Sequence, residues 1–314
     1  TDGALSLGNQ ASSSTVGWSN SGTINAMNST VNLGGLFTLA TLGTFERTGG
    51  TVNLTGTLDN TGTTLALDAS SGNWSLKGGQ ILGGTVTGTD GAKLVATSSV
   101  GTLDGVVLDA DLDLTVDSAK VTVVDGMTLN GTATLGRRAR LDFNGSQVLG
   151  GVGTVVFANS ERQGLIAAAS DMMLTIGPGI TIRGGNNQGG SISYGSVIGY
   201  SSYHGGGSNV SVVNEGTILA DTSGMSVVIN PSGSFVNLGS MGAIDGGSLH
   251  INGTISVTDQ GTMVSSRSGS ISIGANLLGD STNNSGWDPQ GSVVFNGSGT
   301  VESPQLLEAM SQDE

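Results

Sequence analysis

The chain has 314 residues, of which 55 are Gly, 4 are Pro and none is Cys. Glycine without a three-residue period and with so little proline excludes collagen, and the missing cysteines exclude a fold stapled by disulfides. With 24 acidic against 10 basic residues, a net charge of −14 and 36% hydrophobic content, it is no disordered tail and has no basic face for nucleic acid or anionic lipid.

The first readable element is a repeat. Gly22-Thr23-Ile24 is followed by Thr30-Val31-Asn32-Leu33, and twenty-one residues on Gly43-Thr44-Phe45 is followed by Thr51-Val52-Asn53-Leu54. The Gly-Thr-apolar signature returns at Gly50, Gly56, Gly84, Gly101, Gly131, Gly153, Gly216, Gly253, Gly261 and Gly299. Between these points the chain alternates apolar and polar residues in short runs, the mark of half-buried strands. Thr63–Leu67, Leu174–Ile176 and Leu249–Ile251 read this way. Val106–Leu114 is the longest, with Leu108, Ala110, Leu112 and Leu114 on one face. No apolar period of 3.6 residues precedes residue 304; only Leu306–Met310 reads as a helical turn. Strands of three to six residues between Gly-rich corners, with a repeat near 21 residues, predict an all-β solenoid. Its form is a parallel β-helix with about three short strands per coil and about 14 coils in all. A β-sandwich would want longer strands and more aromatic filling.

Residues 1–301 read as a single β-helix domain interrupted by a Gly/Ser/Tyr-rich loop at 184–208, and 302–314 as an exit segment into a longer chain. Thr1 opens the sequence without a basic n-region or an apolar h-region, so no signal peptide is expected in it. No run of 18 uncharged apolar residues occurs, so no membrane insertion is expected.

Three places carry chemistry. Asp109, Asp111 and Asp113 alternate with apolar residues and stand about 6.8 Å apart on one outward face if the run is one strand. Aligned carboxylates of this kind can hold Ca²⁺, or simply keep a Gly-rich solenoid soluble and its sides apart. The Ca²⁺-binding nonapeptide is missing, because Val155 follows Gly150-Gly151-Val152-Gly153-Thr154 where Asp is required. Tyr194, Tyr200 and Tyr203, the only tyrosines, gather with His204 in the 184–208 segment. Rings among small polar residues stack on sugar faces; the alternative is that they cover an interrupted coil. Arg137, Arg138 and Arg140 are the only basic cluster, able to grip an acidic polysaccharide or a carboxylate of the adjacent coil at Asp111, Asp113 or Asp117.

The succession Gly72–Val86, Gly101–Leu108, Asp111–Leu114, Met127–Thr132 and Val148–Phe157, with Val213–Ile218 and Phe235–Ser240 as corners, resembles the repetitive passenger segments of giant bacterial surface proteins, the filamentous-haemagglutinin and autotransporter-like adhesins. The resemblance implies a right-handed β-helix, export to the cell surface, and a structural or adhesive role with no catalytic residues to carry over. The function expected on this ground is non-enzymatic: a segment of a large secreted or cell-surface protein. Its partners would be other domains of the same long chain, neighbouring copies, or host or matrix polysaccharide met through the 184–208 loop.

The alternative is a lyase- or hydrolase-like enzyme acting on polysaccharide, for which Asp109, Asp111, Asp113 and Arg138 are the only workable set. Other enzyme signatures are missing. The two histidines are His204 and His250, no Gly-x-x-x-x-Gly-Lys cradles a phosphate, and nothing provides a Zn²⁺ ligand set. No resident cofactor is expected beyond the Ca²⁺ considered above. An ice-binding face would need longer ladders than Thr85-x-Thr87 and Thr132-x-Thr134.

Overall fold

Each repeat in the sequence becomes a step in a parallel ladder. In the computed structural model, which describes residues 3–9, 16–265 and 268–274 and the backbone of the strands Asn276–Leu278, Trp287–Pro289 and Ser292–Phe295, Thr23–Met27 pairs with Thr44–Thr48. Thr30–Leu33 pairs with Thr51–Leu54, both parallel and in the register that the 21-residue repeat implies. The chain is a β-solenoid of about 12 turns with three strands to a turn.

Its contacts divide into two units. One comprises Thr1–Asp142 with Gly151–Thr154, the other Phe143–Gly150 with Val155–Glu314. The exit segment at 302–314 lies outside the described residues.

In the first unit one ladder stacks Val31, Val52, Trp74, Leu94, Leu112 and Ala133. A second stacks Phe37, Leu58, Ile81, Leu103 and Val123. A third stacks Leu65, Val86, Leu108 and Leu129. All of these are buried. The aliphatic columns form because period-two strands stacked in register place like beside like, so each turn covers the apolar edge of the one before. Polar columns form by the same rule: Asn53 Nδ2 donates to Asn32 Oδ1 at 2.8 Å one turn away. Corners need left-handed backbone. Gly84 has φ +68° and lies so close to the Asn60 carbonyl that a Cβ would collide with it, a place only glycine fills.

The second unit repeats the plan. Its ladders stack Leu174, Val212, Phe235 and Ile255; Ile182, Ile218, Met241 and Met263; and Leu165, Ile198, Ile229, Ile251 and Ile273. Within the core Asn214 Nδ2 donates to Asn237 Oδ1 at 2.7 Å, with both side chains fully buried.

Three expectations change. The turns number about 12 rather than 14 because their length varies: Leu94 pairs with Leu112, 18 residues on, whereas Leu174 pairs with Val212, 38 residues on. A single helical turn occurs at Leu39–Leu42, where Thr41 N donates to Thr38 Oγ1 and Thr38 N to Thr41 Oγ1. One turn is too short to show a helical period. Val106–Leu114 is not one strand but the ends of two, Gly101–Asp109 and Leu112–Leu114, in different ladders. The alternation survives because the corner at Ala110-Asp111 keeps Leu108, Ala110, Leu112 and Leu114 all buried.

Candidate functional site

The segment at 184–208 is not one projecting loop. Its middle, Ser196–Gly199, is a regular strand, fully buried and paired with Gln163–Ile166 on one side and Val227–Asn230 on the other. Gly and Ser around it suggested a loop; Val197-Ile198 was the signal that a strand runs through. Two excursions remain, 186–195 before the strand and 200–207 after it, and both fold back on the outside of the solenoid.

The reason lies in the face that they cover. Alternation along this ladder turns Ile198, Ile229 and Ile251 inward, so Val197, Val228 and His250 face outward in one column, and Ile166 faces outward beside them. Ile166, Val197 and Val228 are nonetheless buried to 1% exposure or less. Apolar side chains on an outer face need a cover, and the excursions supply it. Gly195 lies against the Val228 side chain and Gly190 against the His250 ring, where a Cβ would stand 2.7 Å from its Cε1 and Nδ1. Burial depresses the His250 pKa below its ordinary 6.5.

Asn186, fully buried, pins the first excursion. Its backbone exchanges hydrogen bonds with Ser226, and its Nδ2 donates to the carbonyls of Ser160 and Tyr194, both at 2.9 Å. At the base, Asp221 accepts from Arg183 Nε at 2.7 Å and from Gly184 N at 3.2 Å. The second excursion is held by Asn230, whose Nδ2 donates to the Tyr200 carbonyl at 2.7 Å. It is closed on itself by paired Ser201 and Gly205.

Together these contacts bring Tyr194, Tyr203 and His204 to one point, around a residue that sequence reasoning missed. The Arg162 guanidinium lies over both tyrosine rings, 4.3 Å from the centre of Tyr194 and 4.4 Å from that of Tyr203, a cation–π arrangement. His204 packs edge-on to Tyr203 at 4.8 Å, and its Nε2 lies 2.7 Å from the Arg162 carbonyl. Arg162 N in turn donates to the Tyr194 carbonyl at 2.8 Å. Arg162 is therefore clamped through its backbone by both excursions, in a left-handed conformation with φ 59°. Tyr194 and Tyr203 stay 43% and 45% exposed. Tyr200 stands apart, held through its backbone by Asn230. Nothing in the local sequence Asn159-Ser160-Glu161-Arg162 signalled this role, because the partners lie more than thirty residues away.

The acidic stretch is arranged differently. Asp109 Oδ1 accepts from Asn130 Nδ2 at 2.5 Å, and Asp111 Oδ1 from Thr132 N at 2.8 Å. Asp113 pairs with Lys93 at 2.8 Å and accepts from Thr115. Burial pushes the Asp113 carboxyl up, but the hydrogen bonds and charge of Lys93 and those of Thr115 outweigh it and hold its pKa below the ordinary value. The corner at Ala110-Asp111 breaks the straight row that the sequence suggested. Among the described residues no three His, Asp or Glu gather as a metal ligand set. Asp104, in the same acidic stretch, has its pKa raised by burial and by the charge of Asp125, against a hydrogen bond from Gln80.

The arginines mostly serve the coil. Arg137 Nη1 meets Asp117 Oδ2 at 2.8 Å and Arg138 Nε meets Asp117 Oδ1 at 2.7 Å, one turn earlier. Arg140 goes to Asp142 on its own strand, which also takes Lys120 at 2.8 Å. Asp117 is thus the adjacent-coil partner, and Asp111 and Asp113 are not. Of the tryptophans, Trp74 is buried in a ladder and Trp18 stacks on Phe37 at 5.2 Å; the Trp287 side chain lies outside the described residues. No described helix is long and apolar enough to cross a membrane.

Comparison with protein-family models, with curated proteins and with solved structures finds no match for this chain.

Proposed function

We propose that this solenoid is a non-enzymatic structural and adhesive segment of a secreted or bacterial cell-surface protein, of the kind its repeats resemble, and that it meets carbohydrate through Tyr194 and Tyr203. The observation that carries the reading is the cluster on Arg162. Two tyrosines, each nearly half exposed, are fixed in place by a guanidinium and by backbone hydrogen bonds. Rigid, half-exposed rings lose little conformational entropy when a sugar face stacks on them.

The remaining surface supports binding over catalysis. Asp109, Asp111, Asp113 and Arg138, the set a polysaccharide-cleaving enzyme would need, are each engaged by a neighbouring turn. Ca²⁺ has no part in the proposal.

The test is a glycan array probed with the native chain and with Tyr194→Ala and Tyr203→Ala. Specific glycans should be retained by the native chain and lose at least about tenfold in affinity, about 1.4 kcal/mol, in either variant. Binding that both variants keep in full, or no glycan bound at all, refutes the assignment.

A further inference from the structure

Arg162 has donors to spare. A guanidinium carries five N–H groups in a planar fork, yet among the described residues none of them makes a hydrogen bond. Nε is buried without a partner, and ring faces answer the charge but offer no lone-pair acceptor in the plane of the fork. The one carboxylate in reach is Glu161, whose Oε1 stands 3.6 Å from Nη1. That distance is an ion pair and too long for a hydrogen bond. The side chain is still 19% exposed, so part of the fork is open to solvent beside the two tyrosines.

Leaving buried or half-buried charged donors unsatisfied is costly, and the group that fits a guanidinium fork best is a planar carboxylate, which takes two parallel hydrogen bonds. Resting on the carbohydrate reading above, we propose that the ligand is an acidic sugar. Its carboxylate, as in a uronic acid, is received by the Arg162 fork while its ring stacks on Tyr203 or Tyr194. Glu161 is the intrachain stand-in that the sugar carboxylate displaces. A chain of net charge −14 repels polyanions at long range, so recognition is a short-range match at one residue. It does not depend on a basic surface.

The test separates the acid from the sugar. Calorimetry on the full chain compares a tetragalacturonate with its fully methyl-esterified counterpart, which keeps the ring and removes the charge. The acid should bind at least about tenfold more tightly than the ester, as a bidentate charged pair requires. Arg162→Lys, which keeps the charge and loses the fork, should erase that preference. Glu161→Gln should tighten the acid and leave the ester unchanged, and added salt should weaken the acid alone. Equal or tighter binding of the ester, or an acid preference that survives Arg162→Lys, overturns the inference and leaves the carbohydrate reading standing. Failure of both probes, with no other glycan retained on the array, overturns the two together.

Discussion

Asn186→Ala strikes the point at which the outer cover is fastened to the solenoid. The Asn186 side chain makes three hydrogen bonds, two through Nδ2 to the Ser160 and Tyr194 carbonyls and one through Oδ1 from Gln188 N at 3.1 Å, in a site with no solvent exposure. At about 1 kcal/mol net for each bond, their loss weakens the docking of 186–195 by about 3 kcal/mol. Because a solenoid turn contacts only its neighbours, the cost appears as local opening more than global unfolding. At 1.4 kcal/mol per tenfold, amide hydrogen exchange should accelerate about 100-fold at Gly195 and Ser202. These two donate to Ser191 O and Ile192 O within the cover. Amides in the ladder strands Ser248–Ile251 and Ser270–Ile273 should keep their native rates. Acceleration below about threefold at Gly195 and Ser202 would refute the fastening role, and an equal acceleration in the ladder strands would refute its locality.

Three further outcomes follow from the same contacts. Gly190→Ala places a Cβ against the His250 ring at a φ of +81°, a backbone that costs an L-residue about 1–2 kcal/mol before any clash; exchange across 186–195 should accelerate at least tenfold, and unchanged rates would contradict the packing described. His250 has a folded pKa below its ordinary 6.5, so the opened state takes up the proton first and protection of the cover should fall as pH drops below about 6.5, levelling once the folded form also protonates; His250→Gln should flatten that profile, and a profile that the substitution leaves intact would point to another group. Asp113 is held below, and Lys93 above, its ordinary pKa. The pair therefore contributes above the usual carboxylate range and below the usual lysine range; its share falls away as acid passes the folded Asp113 value and as base passes the folded Lys93 value. Being partly exposed it contributes at most about 1 kcal/mol, and Asp113→Asn should remove the acid limb of that dependence in urea melts followed by circular dichroism.

The sequence by itself determined the fold. Thr23/Thr44 and Thr30/Thr51 are repeat positions on paper and register partners in space. In a solenoid the contact between turns is a step of one repeat, so local pattern and tertiary neighbour are nearly the same information. Burial was legible for the same reason: Leu108, Leu112, Leu174 and Ile251 alternate with polar residues and all lie inside. What the sequence also marked was the unusual segment, through its three tyrosines and His204. Only the tertiary structure decided what that segment does. Arg162 reaches Tyr194 and Tyr203 because the strand Ser196–Gly199 takes its place in the ladder and sends one excursion back on each side. The gap from Arg162 to these rings matches no repeat period. The broken row of Asp109, Asp111 and Asp113 has the same kind of cause: a corner at Ala110-Asp111 preserves which side is inward while changing the direction of the chain. Periodicity records the side on which a residue falls, and direction is settled only when the turns stack.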